Sequence, residues 1–322
     1  MSRMTESKLV VLDDDAHGIP AAVYAAILED QLPEWEILHP QSPADRTAAI
    51  ADATVVAGKH FTAAEVAAAD SLRLFSANTA GVDHLPLDAF ADAGVAVTSA
   101  SGVHGPNIAE YVIGYILSFM RRHDEGRRRQ EARTWRRYQA FGELAGSTVT
   151  VVGLGAIGEA ICERLAGFDV ERIGVRHTPE RGGPVERVVG YPDLMSVLPR
   201  TDVLVLACPL TSQTEQLIDA AALAALPTDA IVINIGRGRL IDTEALVAAL
   251  QANQLHGAAL DVTDPEPLPS DHVLWTLPHV VITPHVAGHT PRYFDRCAEI
   301  LIENIDALPD SGVPSGLRNQ VV

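Results

Sequence analysis

The sequence predicts an α/β protein made of two doubly wound parallel sheets, and three observations carry the prediction. Short runs rich in Val, Ile, Leu and Ala alternate with Ala-rich stretches of helix length, the order of strands and crossover helices in parallel sheets. The runs are nearly continuous in apolar residues, as strands covered on both faces must be. The alternation breaks once, at "NIAEYVIGYILSFMRR", and then starts afresh. A length of 322 residues suffices for two such domains, each with its own core.

The strands of the first unit are read at "KLVVLDD", "ATVVAG", "LRLFSANTAG" and "GVAVTSA". The apolar segment after Pro106 has helix length and a polar start at Asn107, and is expected to bridge the two units. The second unit opens with "STVTVVGLGAIGEAICERLAGF" and continues through "ERIGVRH", "TDVLVLACP", "AIVINIGRG", "HGAALDV" and "VVITPH".

Composition narrows the function. Asp and Glu number 42 against 24 Lys and Arg, a net charge of −18, and only Lys8 and Lys59 are lysines. Such a surface argues against nucleic acid as a partner. It suits a halophilic cytoplasm, where salt screens the repulsion between carboxylates. A base composition favouring Ala and Arg over Lys is the alternative. No apolar run approaches the roughly 18 residues of a membrane span, and no charged-then-apolar leader opens the chain, so a cytoplasmic protein is expected. Cys162, Cys208 and Cys297 are too few and too scattered for a disulfide framework or a paired-cysteine metal site.

Chemistry concentrates after the strands of the second unit. Val149 to Val152 lead into Gly153, Gly155 and Gly158, and a helical pattern follows at once. In that context Gly153 permits the tight turn, Gly155 lets the backbone approach a pyrophosphate, and Gly158 lets helix and strand pack closely. The helix N-terminus adds free N–H groups and the positive end of a dipole. A glycine turn without a ligand is the plainer alternative.

Ligands in such sheets sit beyond the carboxyl ends of the strands, where this chain has Arg176, Cys208, Arg237, Asp261 and His285, with Glu266 just past Asp261. An arginine, a carboxylate and a histidine beside a nucleotide site suggest hydride transfer to a carbonyl next to a carboxylate. Arg237 can grip a planar carboxylate with two parallel N–H bonds. His285 can give a proton to the carbonyl oxygen, with Glu266 favouring the charged imidazole. The plainer readings are a helix-capping Arg237 and a packed loop histidine. A zinc pair of His285 and His289 is disfavoured because Pro284, Gly288 and Pro291 spoil the helix it needs, so no metal is expected.

Taken in order, "NTAGVDHLP", "SGVHGPNIAEYVIGYIL", "GLGAIGEAI", "CPLTSQTEQLI", "VINIGRGRLIDTEALVAAL", "ALDVTDPEPLP" and "TPHVAGHT" resemble the signatures of the D-isomer-specific 2-hydroxyacid dehydrogenases, over nearly the whole chain. The lysine deficit further suggests the haloarchaeal members. The resemblance implies a Rossmann-type cofactor domain, residues 102–287, inserted into a flavodoxin-like substrate domain of residues 1–101 and 288–322, with hinges near Ser101 and Gly288. The cleft between them is expected to close on substrate and exclude water, with His104 either lining it or packing. A catalytic triad of Arg237, Glu266 and His285 is implied, with the substrate carboxylate meeting the backbone N–H groups of Ala80 and Gly81. The implied cofactor site takes in Leu154, Ala156 and Ile157 with the three glycines. It runs on through Arg176, His177 and Thr178, then Cys208, Pro209 and Thr214, then Ile235, Gly236 and Arg237. It ends on Asp261, His285, Ala287 and Gly288, with Asp261 and the backbone near Ile235 receiving the nicotinamide amide. The apolar or polar character of the pocket around Lys59, Phe61 and the "NTAGVDH" loop is expected to decide which 2-oxoacid is preferred.

One position departs from the family's commoner pattern. Where NAD-dependent members carry an Asp for the adenosine ribose, this chain has Arg176, which with His177 and Thr178 would attract a 2′-phosphate; the cofactor expected is NADP. The arginine-rich stretch 121–138, interrupted by Asp124, Glu125 and Glu131, is read as part of a homodimer interface, as is common in the family, with a solvated helix as the alternative. The reaction expected is reversible reduction of 2-oxoacids to D-2-hydroxyacids. A glyoxylate or hydroxypyruvate reductase is the enzymatic alternative, and a nucleotide-sensing corepressor on the same fold the non-catalytic one.

Overall fold

The computed structural model describes residues 7–138, 142–309 and 311–322. They form two compact units, residues 7–104 with 289–322, and 105–288.

The first unit carries a five-stranded sheet. Its elements are β1 (Lys8–Val11), α1 (Ala21–Gln31), β2 (Glu36–Leu38), α2 (Pro43–Ile50), β3 (Val55–Gly58), α3 (Ala63–Ala68), β4 (Leu74–Ala77), α4 (Leu87–Asp92) and β5 (Ala96–Ser99). All pairings are parallel, in the order β2-β1-β3-β4-β5, the flavodoxin-like winding. Alternate residues feed two separate cores, as the period of two demands. Leu9, Val11, Val55 and Ala57 face α1, while Val10, Val56, Phe75 and Val97 face a cluster with Phe61 and Phe90. Phe61 is 3% exposed, and its ring packs against those of Phe75 at 5.1 Å and Phe90 at 5.9 Å. It is therefore core, which corrects its expected place in a substrate pocket. Helix α3 starts on a reciprocal cap, Thr62 accepting from the Glu65 amide and the Glu65 carboxylate accepting from the Thr62 amide.

The second unit begins with α5 (Gly105–Arg121) and α6 (His123–Glu131). It continues with β6 (Thr148–Val152), α7 (Ala156–Leu165), β7 (Glu171–Val175), β8 (Arg187–Val189), β9 (Val203–Leu206) and α8 (Ala220–Ala225). The series ends with β10 (Ile231–Asn234), α9 (Thr243–Gln251), β11 (Gly257–Leu260) and β12 (Val280–Ile282). The parallel sheet runs β12-β11-β10-β9-β6-β7-β8, the Rossmann-type order with one strand added, and its winding reverses between β6 and β9. The same alternation divides Val149, Val151, Val203 and Val205 from Val152, Leu204 and Leu206.

Helix α5 was expected to bridge the units; instead it belongs to the second. Ile108, Ala109, Val112 and Ile116 join the core of β6 and α7, and a Cβ at Gly105 would lie 3.1 Å from the Ala160 Cβ. Its start at Gly105 leaves Val103 and His104 with the first unit, where Val103 is buried and accepts from Arg296 at 2.7 Å. The chain accordingly crosses between units at 104/105 and 288/289, against the expected 101/102 and 287/288. The first unit is completed by α10 (Tyr293–Asp306), whose Phe294, Ala298 and Leu301 pack in the core shared with α1. Among the described residues no helix is long and apolar enough to cross a membrane.

Candidate active site

The carboxyl ends of β6, β9, β10, β11 and β12 are joined into one rim by close backbone contacts. Gly153 ends β6 with φ +102°, and a Cβ there would come within 2.5 Å of the Cys208 amide nitrogen after β9. Gly236 after β10 would put a Cβ 2.9 Å from the Cys208 carbonyl oxygen, and one at Gly238 would overlap the Thr263 carbonyl after β11. Only residues without side chains let these loops approach so closely.

The β6–α7 turn fits a dinucleotide. A Cβ at Gly158 would overlap the Gly153 carbonyl oxygen, so strand and helix are as close as the motif requires. By contrast a Cβ at Gly155 would meet nothing within 4 Å, and Gly155 and Ala156 are exposed. The open side of the turn is thus the N-terminus of the ten-residue helix α7, where backbone N–H groups suit a phosphate. Leu154 is 2% exposed and serves the core beneath β7.

Next on the rim, Arg237 is exposed and donates from Nη1 to the Gly236 carbonyl at 2.7 Å. Its loop hangs on Asn234, 1% exposed, whose Nδ2 donates to the Arg237 carbonyl at 2.9 Å while its Oδ1 accepts from the Gly236 amide at 3.1 Å. Asn234 was missed in the sequence, although a buried amide at the end of an apolar strand was its signal.

His285 and Glu266 meet, Nδ1 to Oε1 at 2.7 Å, with side chains 50% and 42% exposed. The pairing leaves Nε2 for a reacting group. His285 has φ +54°, a left-handed backbone uncommon outside glycine, and Asp261 holds it there. The His285 amide donates to the Asp261 carbonyl at 2.8 Å, and the Asp261 carboxylate accepts from the amides of Val286 and Ala287, both at 2.9 Å, and from the Thr283 hydroxyl at 2.7 Å. Thr283 in turn lies 2.6 Å from the Tyr115 hydroxyl of α5, a phenol that burial keeps well above its ordinary pKa. Asn107 of α5 donates to the Ala287 carbonyl at 2.9 Å.

Two expected cofactor contacts therefore stand differently. Asp261 is 2% exposed and three of its acceptor positions are taken by its own unit. Thr214 is 1% exposed, donates to the Pro209 carbonyl at 2.6 Å and accepts from the Thr211 amide at 2.8 Å, so its hydroxyl shapes the loop after β9. Cys208 is buried and its thiol pushed up to about 11 by that burial, which makes it a wall of the rim and a poor nucleophile. Ile235 and Ala287 are buried, while Pro209 is exposed and Ile157 and Gly288 are half-buried.

At the end of β7, His177 and Thr178 are exposed. Arg176 is only 11% exposed in its side chain, and its Nη1 donates to the Gly182 carbonyl at 2.7 Å and to Glu159 of α7 at 3.2 Å. In the first unit, Ala80 and Gly81 form an exposed turn after β4, with the Thr79 hydroxyl donating to the Gly81 carbonyl at 2.8 Å.

This arrangement has known counterparts. Residues 113–287, more than half of the chain, match the family model described as D-isomer specific 2-hydroxyacid dehydrogenase, NAD binding domain. The chain is 37% identical over 263 residues to a glyoxylate reductase of Thermofilum pendens, covering 79% of this chain and 77% of that one. It is 33% identical over 262 residues to a human glyoxylate reductase/hydroxypyruvate reductase, covering 78% and 79%. A solved D-isomer specific 2-hydroxyacid dehydrogenase family protein from Aeromonas salmonicida superposes with a TM-score of 0.74 at 29% identity, over 99% of each chain. The glycine turn, the doubly wound sheet and these likenesses agree: the chain belongs to the D-isomer specific 2-hydroxyacid dehydrogenase family, enzymes that work with a nicotinamide dinucleotide.

Proposed function

We propose that the protein reduces small 2-oxoacids to D-2-hydroxyacids, with NADPH as the preferred cofactor. The observation that carries the reading is the accessible His285–Glu266 pair at 2.7 Å, on the rim that also bears Arg237 and the glycine turn. When bound, the cofactor supplies hydride to the carbonyl carbon. His285 then delivers a proton from Nε2 to the carbonyl oxygen, while Glu266 on Nδ1 orients the ring and balances its charge. Arg237 grips the substrate carboxylate with two N–H groups and so fixes which carbonyl reacts. Small substrates are favoured by likeness to proteins named for glyoxylate and hydroxypyruvate.

Arg176, His177 and Thr178 in place of an acidic residue at the end of β7 support the choice of NADPH. The test is oxidation of NADPH and of NADH with glyoxylate, hydroxypyruvate, pyruvate and bulkier 2-oxoacids. Turnover that falls with side-chain size and a higher kcat/KM for NADPH are expected. Cofactor binding without turnover on any oxoacid would point instead to a non-catalytic sensor.

The homodimer belongs to the same proposal. Helix α6 is laced by ion pairs such as Arg128 with Asp124 at 2.9 Å, and Trp135 beyond it is fully exposed. A halophilic setting is proposed from the acidic surface, since screening by salt relieves repulsion among carboxylates.

A further inference from the structure

We infer that Glu159 is a specificity-determining residue, whose carboxylate competes with a 2′-phosphate for Arg176; the inference rests on the reading of Arg176 as the 2′-phosphate contact. Glu159 stands in the first turn of α7, one residue past Gly158, and its side chain is 39% exposed. A carboxylate there suits the helix dipole on its own. It does more, because its Oε1 lies 3.2 Å from Nη1 of Arg176 across the gap between α7 and β7.

The geometry divides the guanidinium in two. A guanidinium has five N–H donors. The two on Nη1 are committed within the unit, one to the Gly182 carbonyl at 2.7 Å and the other to Glu159. The Gly182 bond anchors the side chain, and Gly182 itself has φ +64°, the backbone of a tight turn. The groups left for a ligand are Nη2 and Nε. A phosphate arriving on them meets an arginine whose charge is already balanced by a carboxylate. Because the Arg176 side chain is only 11% exposed, water does little to screen that balance. Arg176, read from the sequence together with His177 and Thr178 as attracting a 2′-phosphate, is thus one half of a pair, and the pair sets the preference.

Glu159→Gln separates charge from shape, since the amide oxygen can still accept from Nη1 while the negative charge is gone. The experiment measures binding of adenosine 2′,5′-bisphosphate and adenosine 5′-monophosphate by calorimetry, at fixed low salt, in the wild-type protein, Glu159→Gln and Arg176→Ala. We expect the ratio of Kd for the bisphosphate to Kd for the monophosphate to fall about three- to tenfold in Glu159→Gln. In Arg176→Ala the same ratio should rise at least tenfold, as loss of a charge-assisted contact implies. If Arg176→Ala raises the ratio but Glu159→Gln leaves it unchanged or raises it, the role of Glu159 is overturned while that of Arg176 stands. If Arg176→Ala leaves the ratio unchanged, both fall together.

Discussion

The two sheets end in rims of different character. In the first unit the loops beyond the strands spend their polar groups on one another. The Lys59 amide donates to Asp14 at 2.5 Å, the Lys59 ammonium to the Asp15 carbonyl, and the Asp15 carboxylate accepts from the amide that opens α1 at 3.1 Å. The Tyr293 hydroxyl closes on the Asn78 carbonyl at 2.7 Å. In the second unit the hydrogen bonds go to the backbone beneath the proposed catalytic residues, and Arg237, Glu266 and His285 stay exposed. Both rims come from the same parallel winding, so the fold alone does not make the site. What makes it is a supporting layer of Asn234, Asp261 and glycines that fixes the main chain and leaves the reactive groups free.

The largest effect expected from breaking this contrast is at His285. His285→Gln keeps a polar side chain on the same turn but removes the proposed proton donor, and kcat for oxoacid reduction should fall about 10²- to 10⁴-fold, with cofactor binding nearly intact. Turnover within threefold of wild type would remove His285 from the chemistry. Arg237→Ala comes next. Losing paired charge-assisted bonds should lower kcat/KM by about 10²-fold, shared between a higher KM and a lower kcat because the clamp also orients the carbonyl. An unchanged KM would move the clamp elsewhere.

What the sequence made legible follows from burial. Strands buried on both faces read directly as apolar runs, as do β6, β9, β10 and β11 of the rim, and β12, a half-buried three-residue edge, was readable because all of its residues are apolar. The two strands it hid, β2 and β8, are three-residue edges with exposed or half-exposed positions in "EIL" and "RVV", too short and too wet to show a period. Arg237, Glu266 and His285 could be named because each follows a readable strand. The supporting layer could not, because the role of Thr214 depends on an amide and a carbonyl three and five residues away, and that of Asp261 on amides 25 and 26 residues on, which no side-chain pattern reports. Glu159 was hidden for another reason: its partner Arg176 is seventeen residues on, and only the packing of α7 beside β7 brings them together.

A smaller effect tests the supporting layer itself. Gly238→Ala drives a methyl group into the Thr263 carbonyl and must part the loop of Arg237 from the loop leading to Glu266. Because reacting groups lose rate steeply with misplacement, kcat/KM should fall by about tenfold, with a lower Tm as a second sign of the strained contact. A variant as active and as stable as wild type would mean that this contact does not hold the triad.

The smallest effect belongs to the first unit and concerns stability. His17, at φ +55°, sits among His104 at 5.3 Å, His289 at 4.7 Å and Tyr293 at 4.6 Å between ring centroids, with its Nδ1 buried and unpartnered. Burial first, and then the charges of His104, His289 and Lys59, lower its pKa from 6.5 to about 4. The unfolded chain therefore binds this proton more readily than the folded one. Stability from this group is complete above about pH 6.5 and is lost as pH falls from there towards about pH 4. His17→Asn removes the titration and keeps a residue that tolerates the left-handed backbone. Thermal unfolding measured at intervals from pH 7 to pH 4 should show a shallower fall of Tm in the variant than in wild type, while kcat near neutral pH responds far less than in His285→Gln. Parallel Tm curves would mean that the histidine cluster does not set the acid limit of this unit. A shallower curve would tie the acid sensitivity of the first unit to the buried His17, apart from the residues proposed for the chemistry.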